Sequence, residues 1–202
     1  MQPRILLADD HSMIRKGVRS LCEKTLGFED LGEASSCKEV VKELEKGGYT
    51  HLVLDINFSD GSSLEILPAI RHSHPDLRIA ILSMQPASVY MNAFRQYGVY
   101  YFINKESQPE DTSKLLRNFF RNEIPMRNTL ANAENKNPFS SLAPRELQIL
   151  HHWLKGAGTK EIASLMNLTM STISTVKANI LEKTDSANFV ELTRKAELYK
   201  TE

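Results

Sequence analysis

Three short apolar runs, each closed by a polar residue that a buried strand has no structural use for, constrain this chain more than any other feature. They read ILLAD (5–9), HLVLD (51–55) and RIAILS (78–83). Runs this short, rich in Leu, Ile and Val and lacking polar alternation, suit strands covered on both faces. Two weaker strand patterns, FEDLGEAS (28–35) and VYYFIN (99–104), bring the set to five. Helical stretches near 12–25, 37–46, 63–73, 86–97 and 108–122 alternate with them. The alternation predicts a five-stranded parallel, doubly wound α/β domain. Right-handed crossovers then bring the C-terminal ends of all five strands to one edge, where open α/β sheets bind ligands.

The bulk properties narrow the class without naming a chemistry. A chain of 202 residues accommodates two small domains, and 41% hydrophobic with 25% charged residues is ordinary for a globular protein. No apolar run reaches the roughly 18 residues of a membrane span. Acids arrive too early in MQPRILLADD for a signal peptide, so the expectation is a cytoplasmic protein with no membrane partner. Cys22 and Cys37 have neither metal-ligand spacing nor a disulfide framework and read as reduced thiols. A formal net charge of zero selects neither nucleic acid nor a membrane surface.

The polar residues that end the strands carry the chemistry. Asp9 and Asp10 close the first strand, Asp55 the third and Ser83 the fourth, and Lys105 follows the fifth. Adjacent carboxylates near a low-dielectric interior are costly unless a cation compensates them. Carboxylates from separate strands suit a hard divalent ion such as Mg2+, which binds through one or two carboxylates, waters and a phosphate. A lysine and a hydroxyl beside them would hold phosphoryl oxygens, and Asp55 could serve as a nucleophile forming an acyl phosphate. ADDHS (8–12) also resembles the Asp/His motifs of two-metal phosphoesterases, but such a site needs further ligands. RHSHPD (71–76) falls at the opposite edge of the sheet, and His11 is expected to start the first helix with its ring in solvent.

Over about residues 3–122 this set resembles the receiver domain of two-component response regulators. The resemblance rests on LLADDHSMIRKGV, HLVLDINFSDGSSLEIL, IAILSMQ and YYFINK, each at the expected strand end and in the expected order. It implies a flavodoxin-like fold with Asp55 as phospho-acceptor. Mg2+ would lie on Asp10, Asp55 and the backbone carbonyl of Asn57, with Asp9 assisting through water. Ser83 would be the switch hydroxyl, Phe102 the aromatic switch and Lys105 the partner of the phosphoryl oxygens. The chain departs from the usual pattern at Ser59, Ser12 and Glu106, where prolines are common; Ser12 is expected to cap the first helix instead.

Residues 124–140 read as a linker, and 141–202 as four short helices forming a small all-α domain. Four helices of this size could build a helix-turn-helix. The segment 142–196 resembles the LuxR-type helix-turn-helix domain through PREL, KEIA, T-x-x-T-I and NI-x-x-K. A receiver followed by this domain is the NarL/FixJ-type architecture. Thr169 would cap a recognition helix over about 170–183. Ser171, Ser174, Thr175 and Ala178 would face the groove, with Thr172, Lys160 and Lys177 among the DNA contacts. Many relatives carry a lysine at the position of Ser174; here the groove face has hydroxyls but no cation. Residues 141–202 hold eight Lys and Arg against seven Asp and Glu. Phosphate neutralisation usually dominates affinity, so dimerisation onto two half-sites is expected to be needed. The resulting expectation is a non-enzymatic response regulator phosphorylated on Asp55 by a sensor histidine kinase and binding promoter DNA as a homodimer. The competing readings are a receiver that is never phosphorylated and a tail that binds protein instead.

Overall fold

The computed structural model describes residues 3–123 and 137–198. Its centre is a five-stranded parallel sheet of β1 (Ile5–Ala8), β2 (Leu31–Ala34), β3 (His51–Leu54), β6 (Arg78–Ser83) and β7 (Tyr101–Asn104). The strands lie in the order β2-β1-β3-β6-β7. Ile5 aligns with Leu31 on one side and His51 on the other, and Ala8 with Ala34 and Leu54, so the strands end level. The three central strands are the three apolar runs, because a central strand has both faces covered and no solvent side to mark with polar residues.

Helices α1 (Ser12–Ser20), α2 (Cys37–Glu45), α3 (Ser63–Ser73) and α4 (Ala87–Arg95) occupy the crossovers, and α5 (Pro109–Phe120) follows the last strand. Alternate residues of the strands enter different layers. Ile5, Leu7, Val53, Leu82 and Ile103 share one core with Val18, Leu116, Phe119 and Phe120. Each such buried aliphatic side chain contributes about 1.5–3 kcal/mol over its exposed state. Two local details differ from the sequence expectation. His11, not Ser12, is the N-cap of α1, and it caps without a side-chain bond. The helix expected to run to residue 25 changes to a π-helical turn over Leu21–Thr25, which buries Cys22.

A short antiparallel hairpin of β4 (Asn57–Phe58) and β5 (Gly61–Ser62) follows the third strand of the sheet. It is tied across the chain to α2. Asp60 accepts from the backbone N–H of Cys37 at 2.8 Å and of Lys38 at 3.2 Å. Ser36 takes the N–H of Glu39, so the start of α2 is capped both locally and from the hairpin.

By Cα proximity the chain divides into two units, 1–87 with 94–127 and 88–93 with 128–202. The linker expected over 124–140 lies outside the described residues as far as 136. Its last residues belong to a 3-10 turn, Pro138–Ser141, that buries Phe139. Beyond it come α6 (Pro144–Leu154), α7 (Thr159–Leu165), α8 (Met170–Lys183) and α9 (Phe189–Leu198). Leu147, Leu150, Ile162, Ile173, Ile180 and Leu192 form their buried interior. Glu146 fastens the first turn of α6 by accepting from the Ala143 N–H, and it also receives Lys183 from the end of α8. Between α7 and α8, Asn167 takes a left-handed conformation at φ 51°, which asparagine tolerates better than most residues and which makes the tight turn.

Candidate functional site

The level strand ends deliver Asp9, Asp55 and Lys105 into one buried cluster. Asp9 is 3% and Asp55 4% exposed. Lys105 lies between them, with Nζ 2.8 Å from Asp9 Oδ2 and 2.6 Å from Asp55 Oδ2. Its own N–H extends the sheet by donating to the Ser83 carbonyl at 3.0 Å. Asp55 Oδ1 accepts the N–H of Ile56 at 2.7 Å, which fixes the carboxylate rotamer. Burial pushes the Asp55 carboxyl above its usual range against the opposing pull of Lys105, and the charge of Asp9 pushes the same way as burial.

Asp10 is only partly buried and contributes to the same cluster. Asp9, Asp10, Asp55 and His11 each present a ligand atom within 4.8 Å of the others. Two of the buried oxygens, Asp9 Oδ2 and Asp10 Oδ1, take no well-aligned hydrogen bond, although Lys105 and His11 nitrogens lie close. Three carboxylates against one lysine leave an excess of negative charge. Unsaturated carboxylate oxygens with that charge excess fit a hard divalent cation.

His11 is the residue that sequence reasoning missed. Its ring is 67% exposed, as expected at a helix start, yet Nδ1 points back into the acids. It lies 3.3 Å from Asp9 Oδ1 and 2.9 Å from Asp10 Oδ1. The available signal was an imidazole adjacent to two carboxylates in a loop short enough to fold back on them. The loop is held from below by Arg15, which donates to the Asp9 carbonyl at 2.6 Å and to Glu33 of β2 at 2.8 Å.

The remaining residues of the expected set lie on neighbouring elements, Ser83 meeting the cluster through its backbone carbonyl, which takes the Lys105 N–H. Ser83 is buried at the end of β6, and its Oγ accepts from the Gln85 N–H at 3.2 Å. Phe102 is half-buried on β7, on the face opposite Tyr101 and Ile103. Asn57 opens the β4–β5 hairpin. A cavity of about 740 Å³ lined by Arg71, Tyr97, Tyr100 and Glu123 opens at the opposite edge of the sheet and contains none of the acids.

In the C-terminal helices, Thr169 caps α8 by accepting the Thr172 N–H at 3.1 Å, and the two hydroxyls are 2.8 Å apart. Ser171, Thr172, Ser174, Thr175 and Ala178 are exposed, as is Lys160 on α7. Thr175 donates its hydroxyl back to the Ser171 carbonyl, which leaves it an acceptor toward solvent. Lys177 is directed inward. Its Nζ sits 4.6 Å from the centre of the Trp153 ring and 3.2 Å from Thr159 Oγ1. Trp153 stacks in turn on Phe189 at 4.9 Å.

Comparison with known proteins agrees with both halves. The response regulator receiver domain matches residues 5–117, and the luxR family of bacterial regulatory proteins matches 140–196. Response regulator UvrY of Escherichia coli is 27% identical over 95% of this chain and 92% of its own. The nitrate/nitrite response regulator protein NarP of the same organism is 29% identical over 89% of this chain and 87% of its own. The transcription regulator BvgA of Bordetella pertussis is 28% identical over 95% of each. In fold, the chain is similar to RcsB of Salmonella enterica serovar Typhimurium, solved bound to promoter rprA with BeF3-. The TM-score is 0.81 at 21% identity, with 98% of this chain and 99% of that one covered. With its acids gathered at the carboxyl edge of a receiver sheet and a helix-turn-helix segment later in the sequence, the chain belongs to the response regulators, a receiver domain followed by a LuxR-type DNA-binding domain.

Proposed function

We propose that this response regulator is switched by phosphoryl transfer to Asp55 and that the switched form binds promoter DNA. The observation that carries the reading is the bridge of Lys105 between Asp9 and Asp55 at the carboxyl edge of the sheet. Asp55 is the phospho-acceptor, and its Oδ2 is the attacking atom. It forms an O–P bond while the bond from phosphorus to a kinase imidazole nitrogen breaks. The electron pair of that bond stays on the imidazole, which takes up a proton. Lys105 Nζ remains within reach of the transferred group and pairs with its oxygens. Asp9, Asp10, Asp55 and the Asn57 carbonyl would hold Mg2+. Bound there, the ion supplies neutralising charge for the phosphoryl oxygens. Ser83 and Phe102 are the residues proposed to respond to the new group, Ser83 by giving up its Gln85 contact for a phosphoryl oxygen.

At the other end, Ser171, Ser174, Thr175 and Ala178 of α8 are the proposed groove face, with Thr169, Thr172 and Lys160 at the phosphates. Lys177 contributes by fixing α8 on Trp153 and not as a free cation. BvgA, a relative named as a transcription regulator, and the promoter complex of RcsB support this reading of the tail. The proposed domains are a receiver over 1–123, a linker over 124–140 and the DNA-binding domain over 141–202. The proposed partners are a sensor histidine kinase and a second copy of the chain on DNA.

Acetyl phosphate with Mg2+ tests the receiver half directly. Wild type is expected to incorporate one phosphate that Asp55→Asn cannot accept, and Lys105→Ala is expected to lose most of the incorporation. Wild type that takes up none, under conditions where a control receiver does, overturns the phosphoryl reading.

A further inference from the structure

We infer that Asp60 is a positioning residue for phosphoryl transfer, clamping the hairpin that follows Asp55 onto α2 and so holding the acceptor carboxylate in its attacking orientation. The inference rests on the reading of Asp55 as phospho-acceptor and carries it to a residue outside the acid cluster. The hairpin has weak means of its own. Its two strands pair only as Asn57 with Ser62 and Phe58 with Gly61, so Ser59 and Asp60 form a two-residue loop. Loops of that length favour primed turns, which need a positive φ at the first or at both central residues. Neither Ser59 nor Asp60 has one. Unprimed turns splay the strands they join, and a two-stranded hairpin is marginal even with a good turn. Ser59 also fills the position where a proline would preset the backbone angle. Burial of Phe58 holds one strand, and the turn itself is held by Asp60.

The anchor ends on firm ground. Asp60 takes the N–H of Cys37 at 2.8 Å through Oδ1 and of Lys38 at 3.2 Å through Oδ2, two of the donors that a helix start leaves unpaired. A carboxylate in that place also gains from the helix dipole. α2 is itself fixed, by Ser36 on the Glu39 N–H and by Val40 and Leu44 in the core. From the hairpin the constraint reaches the acceptor through one residue. The Ile56 carbonyl takes the Ser63 N–H at 2.8 Å and the Ser62 hydroxyl at 3.1 Å. The Ile56 N–H donates to Asp55 Oδ1 at 2.7 Å. With Oδ1 so held, Oδ2 is the oxygen turned toward Lys105, 2.6 Å away, and toward the incoming phosphorus. Release of the turn frees Ile56, and the carboxylate loses the rotamer that this bond fixes. A misplacement of about 1 Å at a reacting atom costs up to about 100-fold in rate.

The full-length protein with Mg2+ would be followed for initial phosphate uptake across a range of acetyl phosphate concentrations, as wild type, Asp60→Ala, Asp60→Asn and Ser36→Ala. Ser36→Ala removes the other cap of α2 and leaves the hairpin anchor in place. Asp60→Ala is expected to lower the plateau rate about tenfold with little change in the half-saturating concentration, because orientation and not binding is lost. Asp60→Asn keeps one acceptor oxygen and sets its NH2 against the second N–H, so a loss of about threefold is expected. Ser36→Ala is expected to lose comparable stability in denaturant and to keep the wild-type plateau. An Asp60→Ala plateau equal to that of wild type, or one matched by Ser36→Ala, overturns the positioning role and leaves Asp60 a helix cap. Should Asp60→Ala fail to fold, Asp60→Asn at the wild-type rate overturns it equally. Wild type that takes up no phosphate overturns the phosphoryl reading itself, and this inference with it.

Discussion

Asp55 sits in an environment that is unfavourable to its charge. Burial raises its pKa more than Lys105 and the Ile56 amide lower it, so the folded state holds the proton more tightly than the unfolded chain. The stability linked to this group is complete below the unfolded pKa and is lost as pH rises through the folded one. Removing the charge therefore relieves strain. Asp55→Asn should melt at a higher temperature than wild type at pH 7 without divalent ions, and thermal scans below about pH 4 should bring the two together. His151 gives the opposite case in the helical tail. Burial, with Lys155 and His152 nearby, pushes its pKa down to about 4. Its stabilising contribution is full above about pH 6.5 and is lost between there and about 4, on the order of 3 kcal/mol in all. An acid titration followed by helix circular dichroism should show this loss in wild type and a smaller one in His151→Leu.

Among the elements, those defined by burial were legible and those defined by long-range polar contacts were not. The central strands announce themselves because ILLA, HLVL and RIAILS must be apolar on both faces, and parallel right-handed crossovers bring their carboxyl ends to one edge. The acids, Ser83 and Lys105 were legible for the converse reason, as polar residues at the ends of apolar runs. The β4–β5 hairpin was hidden, since two-residue strands carry no period, and its anchor to α2 joins Asp60 to Cys37 across 23 positions. Cutting that anchor should be felt in the receiver: Asp60→Ala is expected to cost about 1 kcal/mol in denaturant unfolding, as the loss of a helix cap does. The inward turn of Lys177 was equally hidden. A helical projection sets it at the flank of α8, but only α6 supplies the Trp153 ring it rests on. Its pKa is lowered by burial, in keeping with that position. Lys177→Ala should destabilise the helical tail by about 1 kcal/mol in chemical unfolding of the full chain.

At the scale of the whole molecule, the balance of charge sets the terms on which the chain can meet DNA. Residues 141–202 carry a net charge of only +1, and one of their lysines is occupied by Trp153 and another by Glu146. Few phosphates can then be neutralised by a single copy, so under the proposed function the affinity is expected to come from the pairing of two tails. Gel-shift titrations should show binding to a two-half-site operator far exceeding that to one half-site. Lys160→Ala should flatten the slope of log affinity against log salt by about 1 for each tail. The receiver has a different asymmetry. Asp55 follows the central strand β3 and Lys105 the edge strand β7, whereas the Asp9–His11 loop is moored through Arg15 to Glu33 on the opposite edge strand β2. Burial opposes the charge of Glu33, but hydrogen bonds from Arg15 and Arg19 outweigh it and hold the carboxyl below its ordinary range. A designer grafting a foreign β2–α2 segment into this protein would therefore have to import an acid at position 33, or accept a chimera whose Asp55–Lys105 pair is intact and whose Asp9–His11 loop has lost its tether.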